Sequence, residues 1–563
     1  MTDRFVPSDE KVRDEIRTQL DANICVEAGA GTGKTTVLVD RIVEILRTGH
    51  ALVEQVAVIT FTEKAAAELA SRVRRGLEDR LRDPAVDAAE GERLGAAIRG
   101  LNHAHIETIH AFAASLLRER PVEAELDPGF EVLDELPAQL AFRAAWDEWI
   151  TAGMAADEPP AALLNALNLG LDFKYVREAA DRLNRHRHAL PLRAYAAPYY
   201  DTDALLDTLW DAADRLRAMH PRMRDPGDKA YTAIPEVVDL CDGLLALRES
   251  GSLQRAIAAA SLPNYNGNRT KWFDPDECGA AKGQMERVKK ALAAHTGAIR
   301  SGATGDLVRW LEGFVGYYAG RRRGDGVADF DDLLIWARNL VRDNAEVRQY
   351  FQGKYRCILV DEFQDTDPLQ AEMIVRLCAS DGGETDWRRA ALRPGSLFVV
   401  GDPKQSIYRF RRADITMYDD VKRELFGGAR AIVQNFRSAE PIIAWVNRIF
   451  GQLITERSGV QPRYIELEHH PAYVGTEAVT IVRGTVDGKW AADARRAEAE
   501  GLAGLIAREI NVGGWAVRQD GSTEKRAATW RDVAVLIPSR TELHIYEDAF
   551  ARASIPYRHE GGR

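Results

Sequence analysis

The chain has 563 residues, 45% hydrophobic and 29% charged, the composition of a folded protein with about two to four domains. No apolar run approaches the roughly 20 residues that cross a bilayer, and the polar start MTDRFVPSDEKVRDE argues against a secretory signal, so a cytoplasmic protein is expected. The formal net charge of −11 has the wrong sign for non-specific nucleic-acid binding, so any DNA contact must come from local basic patches.

In chain order, NICVEA (23–28) reads as a strand, and a Gly-rich turn then opens a helix at KTTVLVDRIVEIL. QVAVITF (55–61) reads as a second strand, followed by the helix KAAAELASRVRRGLEDRL. Strand, turn and helix in repeated order predict a parallel α/β sheet. The second helix supplies a first basic patch, Lys64, Arg72, Arg74 and Arg75. From about 125 to 325 the pattern becomes Ala-, Leu- and Arg-rich with helical periodicity, which predicts a helical insertion. Within it, SLPNYNGNRTKWFDPDECG (261–279) is rich in turn formers and is expected to be a loop. The run Arg321 to Arg323 is a second basic patch, whose simplest reading is a solvated helix face. Strands return at CILV (357–360) and SLFVV (396–400), each ending at polar residues where a parallel sheet places its ligands. Arg409, Arg411 and Arg412 form a third basic patch. AIV (431–433), EAVTIV (477–482) and VAVLIP (533–538) are expected as strands of a second α/β domain starting near 420. Cys25, Cys241, Cys278, Cys357 and Cys378 have no metal-ligand or disulfide spacing and are expected to be buried apolar residues.

Two segments carry chemistry. Ala28-Gly29-Ala30-Gly31-Thr32-Gly33-Lys34-Thr35 fits a phosphate-binding loop with Ala at its first position. Small residues let backbone N–H groups turn toward phosphates, Lys34 reaches the β and γ phosphates, and the Thr35 hydroxyl coordinates Mg²⁺. The CILV strand ends in Asp361-Glu362, where the first carboxylate suits Mg²⁺ and the second suits polarising the attacking water. Together they predict a nucleoside triphosphatase without saying which kind.

The residues around them do say. ILVDEFQDTDPLQ (358–370) resembles motif II of the UvrD/Rep and RecB/AddA helicases. TFTEKAAAELASRV (60–73) resembles motif Ia, TIHAF (108–112) motif Ib and DFDDLL (329–334) motif Ic. GDPKQSIYRFRRADI (401–415) resembles motif III and VQNFRS (433–438) motif IV, while RPVEAELDPGFEVLDE (120–135) is similar to the RecB/AddA branch. The resemblance, to superfamily 1A DNA helicases, implies a RecA-like core domain from residues 1–124 and 326–420, a helical insertion at 125–325, and the start of a second RecA-like domain at 421–563. It implies an ATP- and Mg²⁺-dependent 3′ to 5′ helicase or translocase acting on single-stranded and 3′-tailed duplex DNA, in repair or recombination.

Carried onto this chain, the resemblance implies that Gln405 senses the γ-phosphate, that Gln364 stands at the same junction, and that Arg437 acts as an arginine finger. Thr62, Lys64, Thr108, His110, Phe112, Tyr408 and Arg409 fall in motifs that line the single-strand groove. Three departures stand out. The Gln that reads adenine in the family is Lys11 here, the usual Arg-Gly-Ala after motif III is Arg411-Arg412-Ala413, and no counterpart of motifs V and VI precedes Arg563. The last sets the expectation of an incomplete motor: weak hydrolysis, no unwinding alone, and a second protein chain completing it. No nuclease signature is found, so no intrinsic nuclease activity is expected. The rival expectation is a module that binds ATP and DNA without motor activity.

Overall fold

The computed structural model describes residues 5–192, 200–219, 221–380, 384–471, 479–481, 491–518, 524–537 and 539–559. The chain divides into one compact unit of residues 1–112 and 348–563, and another of residues 113–347.

The first unit is built on a six-stranded sheet: β1 (Ile24–Ala28), β2 (Val56–Thr60), β3 (His105–Thr108), β4 (Cys357–Val360), β5 (Leu397–Gly401) and β6 (Arg430–Ile432). Their order is β3-β2-β4-β5-β1-β6, and every pairing is parallel. Every residue of β2, β4 and β5 is buried, as a sheet covered by helices on both faces requires, and this is why these strands read as unbroken apolar runs. Helices α1 (Glu10–Thr18), α2 (Lys34–Thr48) and α3 (Glu63–Leu81) supply Ile16, Leu38, Ile42, Ile45, Leu69, Val73 and Leu77 to one core with Val58, Leu359 and Val400. This is the α/β, RecA-like architecture expected from the sequence. Because all six strands run the same way, the loops after β1, β4 and β5 share the carboxyl edge, and β1 lies between β5 and β6 there.

Two expectations for the later strands need correction. AIV does not open a second sheet: its residues 431 and 432 lie in β6, which pairs with β1, Val26 opposite Arg430 and Ala28 opposite Ile432. VAVLIP forms no strand over its described residues 533–537. Its period-2 burial is present, with Val533, Val535 and Ile537 packed on an apolar cluster and Leu536 93% exposed. Among the described residues it pairs with no strand. That cluster is formed by helices Ala491–Val512 and Leu543–Arg552. EAVTIV falls half outside the described residues, and 479–481 are not in a strand.

The second unit is helical over most of its described residues, among which Glu131–Val132 pairs with Val327–Ala328 in a two-residue ladder. Its spine is α4 (Pro275–Gly324), 50 residues and about 75 Å long. The amino-terminal half of α4 packs Met285, Val288 and Leu292 into one apolar cluster, and its carboxyl half packs Leu311, Phe314 and Tyr318 into another. The start of α4 corrects the loop reading of 261–279. Asp274 accepts from the N–H of Asp276 and Pro275 sits in the first turn, so the last turn formers of that stretch are a helix cap. The Arg321–Arg323 reading also changes. Arg322 is 1% exposed and paired with Asp332, which is equally buried, so this residue faces inward. Among the described residues no helix is long and apolar enough to cross a membrane. All five cysteines are buried and unpaired.

Candidate active site

The phosphate-loop residues lie between β1 and α2. Ala28 ends β1, and Gly33 caps α2 in the left-handed region at φ +87°, after Gly31 at φ +76°. Side chains rarely adopt these angles, so glycine is needed at both positions. The turn leaves the first N–H groups of α2 directed at its mouth, where a helix amino terminus favours an anion. Thr32 is fully buried and its hydroxyl donates to the carbonyl of Gly29 at 2.9 Å, fixing the turn from inside. Ala30 and Thr35 complete the segment, with Thr35 partly buried in the first turn of α2.

The acidic pair follows β4. Glu362 sits at φ +50°, an uncommon conformation for a residue with a side chain, and its carboxylate meets Lys34 Nζ at 2.8 Å. The same carboxylate oxygen accepts from Gln364 Nε2 at 2.8 Å. Gln364 is 2% exposed, and its Oε1 accepts from the N–H of Asp402 at 2.8 Å. A Cβ at position 401 would collide with that amide, so Gly401 allows the close approach. Asp402 in turn accepts from Gln405 Nε2 at 2.7 Å and from Lys404 Nζ at 2.9 Å. Lys34, Glu362, Gln364, Asp402 and Gln405 therefore form one continuous polar chain across the ends of β1, β4 and β5.

Burial, and then neighbouring Glu362, push the Asp361 carboxyl up to about 6 against the opposing pull of Lys34. Burial and Glu362 push Asp365 to about 6 as well. The site thus holds more carboxylate than Lys34 offsets, which is what a divalent cation would correct. The carboxylate of Asp361 and hydroxyl of Thr35 are the hard oxygen donors such an ion takes. Among the described residues no group of three or more His, Cys, Asp or Glu side chains is placed to hold a metal ion.

Residues 434–438 lie on the phosphate loop. Asn435 Nδ2 donates to the carbonyl of Ala30 at 2.7 Å, and the N–H of Phe436 donates to that of Gly31 at 2.8 Å. Asn435 Oδ1 accepts from the N–H groups of Arg437 and Ser438, at 2.8 and 2.7 Å. The exposed Arg437 side chain thereby starts beside the loop, and a Cβ on Gly31 would lie 2.8 Å from the Arg437 Cβ. A Cβ on Gly29 would meet Leu467 at 2.6 Å. Asn435 was not singled out in the sequence, although Asn is a turn-forming residue whose side chain bonds backbone two residues on. Lys11 is exposed on α1.

The residues expected to meet DNA divide into two groups. Thr62 caps α3, accepting from the N–H of Ala65 at 3.1 Å, and Lys64 is exposed in its first turn. Thr108 closes β3 and donates to Glu63 at 2.9 Å, and His110 is partly buried just beyond it. Tyr408 stands between Phe61, 4.7 Å between ring centroids, and Phe410, 5.8 Å, with Arg409 exposed beside them. Phe61 and Phe410 were missed in the sequence. Both lie inside the motif segments quoted above, and the structure leaves Phe410 78% exposed. Phe112 must be withdrawn from the groove. It is fully buried, 5.3 Å from the ring of Tyr355, so its face is already covered. Phe112→Ala is expected to cost about 3–5 kcal/mol in denaturant unfolding while DNA affinity of the folded protein changes less than about twofold; a large affinity loss without destabilisation would contradict this.

A family model described as the UvrD/REP helicase N-terminal domain matches residues 9–425. A protein from Geobacillus thermodenitrificans, named as one of the subunits of an ATP-dependent helicase/nuclease, is 27% identical over 92% of this chain and 46% of its own length. Its namesake from Levilactobacillus brevis is 27% identical over 98% of this chain and 48% of its own. That from Lactobacillus delbrueckii subsp. bulgaricus is 28% identical over 78% and 39%. The chain thus spans about half the length of the curated relatives it matches, or less.

Proposed function

Because the chain belongs to the UvrD/REP helicase N-terminal domain family, we propose that it binds ATP with Mg²⁺ and couples hydrolysis to 3′ to 5′ movement on single-stranded DNA. The setting is DNA repair or recombination in the cytoplasm. The observation that carries this reading is the polar chain from Lys34 through Glu362, Gln364 and Asp402 to Gln405. It links a phosphate loop to the segment that bears Tyr408 and Arg409, which is what coupling a nucleotide to a DNA groove requires. Since the relatives are named as components of a larger helicase/nuclease, the partners include a second protein chain, together with single-stranded and 3′-tailed duplex DNA.

In this reading Lys34 and the N–H groups opening α2 hold the terminal phosphates. Thr35 and Asp361 hold Mg²⁺, which neutralises phosphate charge when bound. Glu362 leaves Lys34 as the phosphates arrive and takes up the proton of the attacking water. Gln405 and Gln364 report the γ-phosphate through Asp402, and Arg437 places positive charge on it. Lys64 and Arg409 track DNA phosphates, while Phe61, Tyr408 and Phe410 offer faces on which bases stack without regard to sequence.

The test is hydrolysis with and without single-stranded DNA. Glu362→Gln is expected to keep Mg-ATP affinity and to lose about 10²-fold or more in DNA-stimulated turnover; equal turnover in wild type and variant would remove Glu362 from its role. A second measurement addresses the groove. Affinity for single-stranded DNA should fall steeply with salt, and replacing Lys64 and Arg409 together should reduce the slope of log K against log salt by about 1.4, the value for two phosphates. An unchanged slope would place the phosphate track elsewhere.

A further inference from the structure

Residues 433–437 are fastened to the phosphate loop from a second side, by a pair of residues outside every motif named above. Asp9, 6% exposed, is the residue ahead of α1. Its Oδ2 accepts from two backbone N–H groups, Val433 at 2.8 Å and Gln434 at 3.0 Å. Arg13, one turn along α1, holds both oxygens of that carboxylate, Nε to Oδ1 at 2.6 Å and Nη2 to Oδ2 at 3.0 Å. The same Nη2 donates to the carbonyl of Thr32 at 2.9 Å, two residues before Lys34. The guanidinium also lies over the Phe436 ring, 5.1 Å from its centroid.

Two charged side chains thus connect α1, the phosphate loop, the backbone entering the Arg437 segment and the aromatic ring next to Arg437. Burial raises the Asp9 carboxyl, but Arg13 and the two backbone donors outweigh it and hold it below its ordinary value, so Asp9 is a carboxylate at neutral pH. A buried ion pair of this kind is weak evidence for stability, because desolvation offsets much of its attraction. What it does supply is direction. A bidentate guanidinium fixes a plane, and here the plane fixes the distance between Thr32 and residues 433–436. Asn435 sets the same spacing from the other side by holding the carbonyl of Ala30.

We propose that Asp9 and Arg13 are positioning residues for hydrolysis: they hold the segment bearing Arg437 in register with the phosphate loop, so that Arg437 is placed on the terminal phosphate. The proposal rests on the role given to Arg437 above. Arg13 acts through Arg437 and does not itself touch the reacting atoms.

A double-mutant cycle tests it, with DNA-stimulated turnover, Mg-ATP affinity and thermal unfolding measured on Arg13→Ala, Arg437→Ala and the double variant. Arg13→Ala is expected to lower kcat by about 10- to 10²-fold, the scale of a misplaced group, with Mg-ATP affinity little changed and the unfolding midpoint lowered, because the buried Asp9 carboxylate loses its partner. On the Arg437→Ala background the same change should have no further effect on kcat, since the residue it positions is gone. Arg13→Lys, which keeps the charge but loses the fork, should recover only part of the loss. Asp9→Asn, nearly isosteric, should reproduce the kcat loss and guards against misreading a folding defect in Arg13→Ala. Additive losses at Arg13 and Arg437, or wild-type kcat in folded Asp9→Asn and Arg13→Ala, would overturn the positioning role while leaving Arg437 intact. Wild-type kcat in Arg437→Ala would instead overturn the assignment of Arg437, and this proposal with it.

Discussion

Lys34→Ala is expected to reduce DNA-stimulated ATP hydrolysis by about 10³-fold, the upper range for removing a group that stabilises developing charge. The residue does two things in this site. In the proposed reading it supplies the cation that meets the terminal phosphates, and in the structure it holds Glu362 at 2.8 Å. The carboxylate therefore occupies the ammonium much as a phosphate oxygen would, and phosphate binding must exchange one partner for the other. Removing Lys34 also removes the nearby charge that opposes the upward push on Asp361, so protonation of Asp361 becomes easier and its competence as a metal ligand falls. Affinity and turnover should decline together, unlike Glu362→Gln, where only turnover falls. Phosphate release and nucleotide titration on the folded variant decide the matter, and near-wild-type turnover would mean that the loop does not hold phosphate.

The placement of the candidate site was legible in the sequence wherever it is compressed into one contiguous segment. Residues 28–35 need a strand, a turn with two left-handed positions and a helix start, and that requirement is met by glycines at fixed spacing. Asp361 and Glu362 are legible for a similar reason, since a buried parallel strand announces where it ends. What could not be read depends on neighbours far along the chain. Asp9 and Arg13 look like ordinary helix-start charges until residues 433–436 are placed against them. Arg322 looked like part of a solvated basic run because nothing local reveals that Asp332 closes on it in the interior. Phe112 shows the converse, because an aromatic inside a nucleic-acid motif is equally suited to the core beneath it, and only Tyr355 decides. In VAVLIP the alternation correctly gave the buried face, yet alternation specifies which side of a strand faces inward and says nothing about whether a partner strand is present. The AIV segment was placed in the wrong sheet for the same reason, as strand pairing is a property of two segments and the sequence shows one at a time.

Arg437→Ala is expected to lower turnover by about 10³-fold or more with a much smaller change in Mg-ATP affinity, since an arginine finger acts chiefly on charge that develops during phosphoryl transfer. The structure gives this expectation a particular form. The Arg437 backbone is set by Asn435, whose side chain accepts the Arg437 N–H while donating to the carbonyl of Ala30. The Arg437 backbone therefore starts in the phosphate loop's own neighbourhood. Conservative replacement should be nearly as damaging as removal, because Arg437→Lys keeps one charge but loses the planar fork that can meet two phosphate oxygens at once. Asn435→Ala offers an independent check, for it leaves the guanidinium in place and deletes only its support. It should lower kcat in the same direction by a smaller factor, about 10- to 10²-fold. Single-turnover hydrolysis with saturating ATP and single-stranded DNA separates these cases from defects in binding or release. If Arg437→Ala lost affinity in proportion to rate, the side chain would be a ground-state phosphate ligand, uniform in its effect on substrate and transition state.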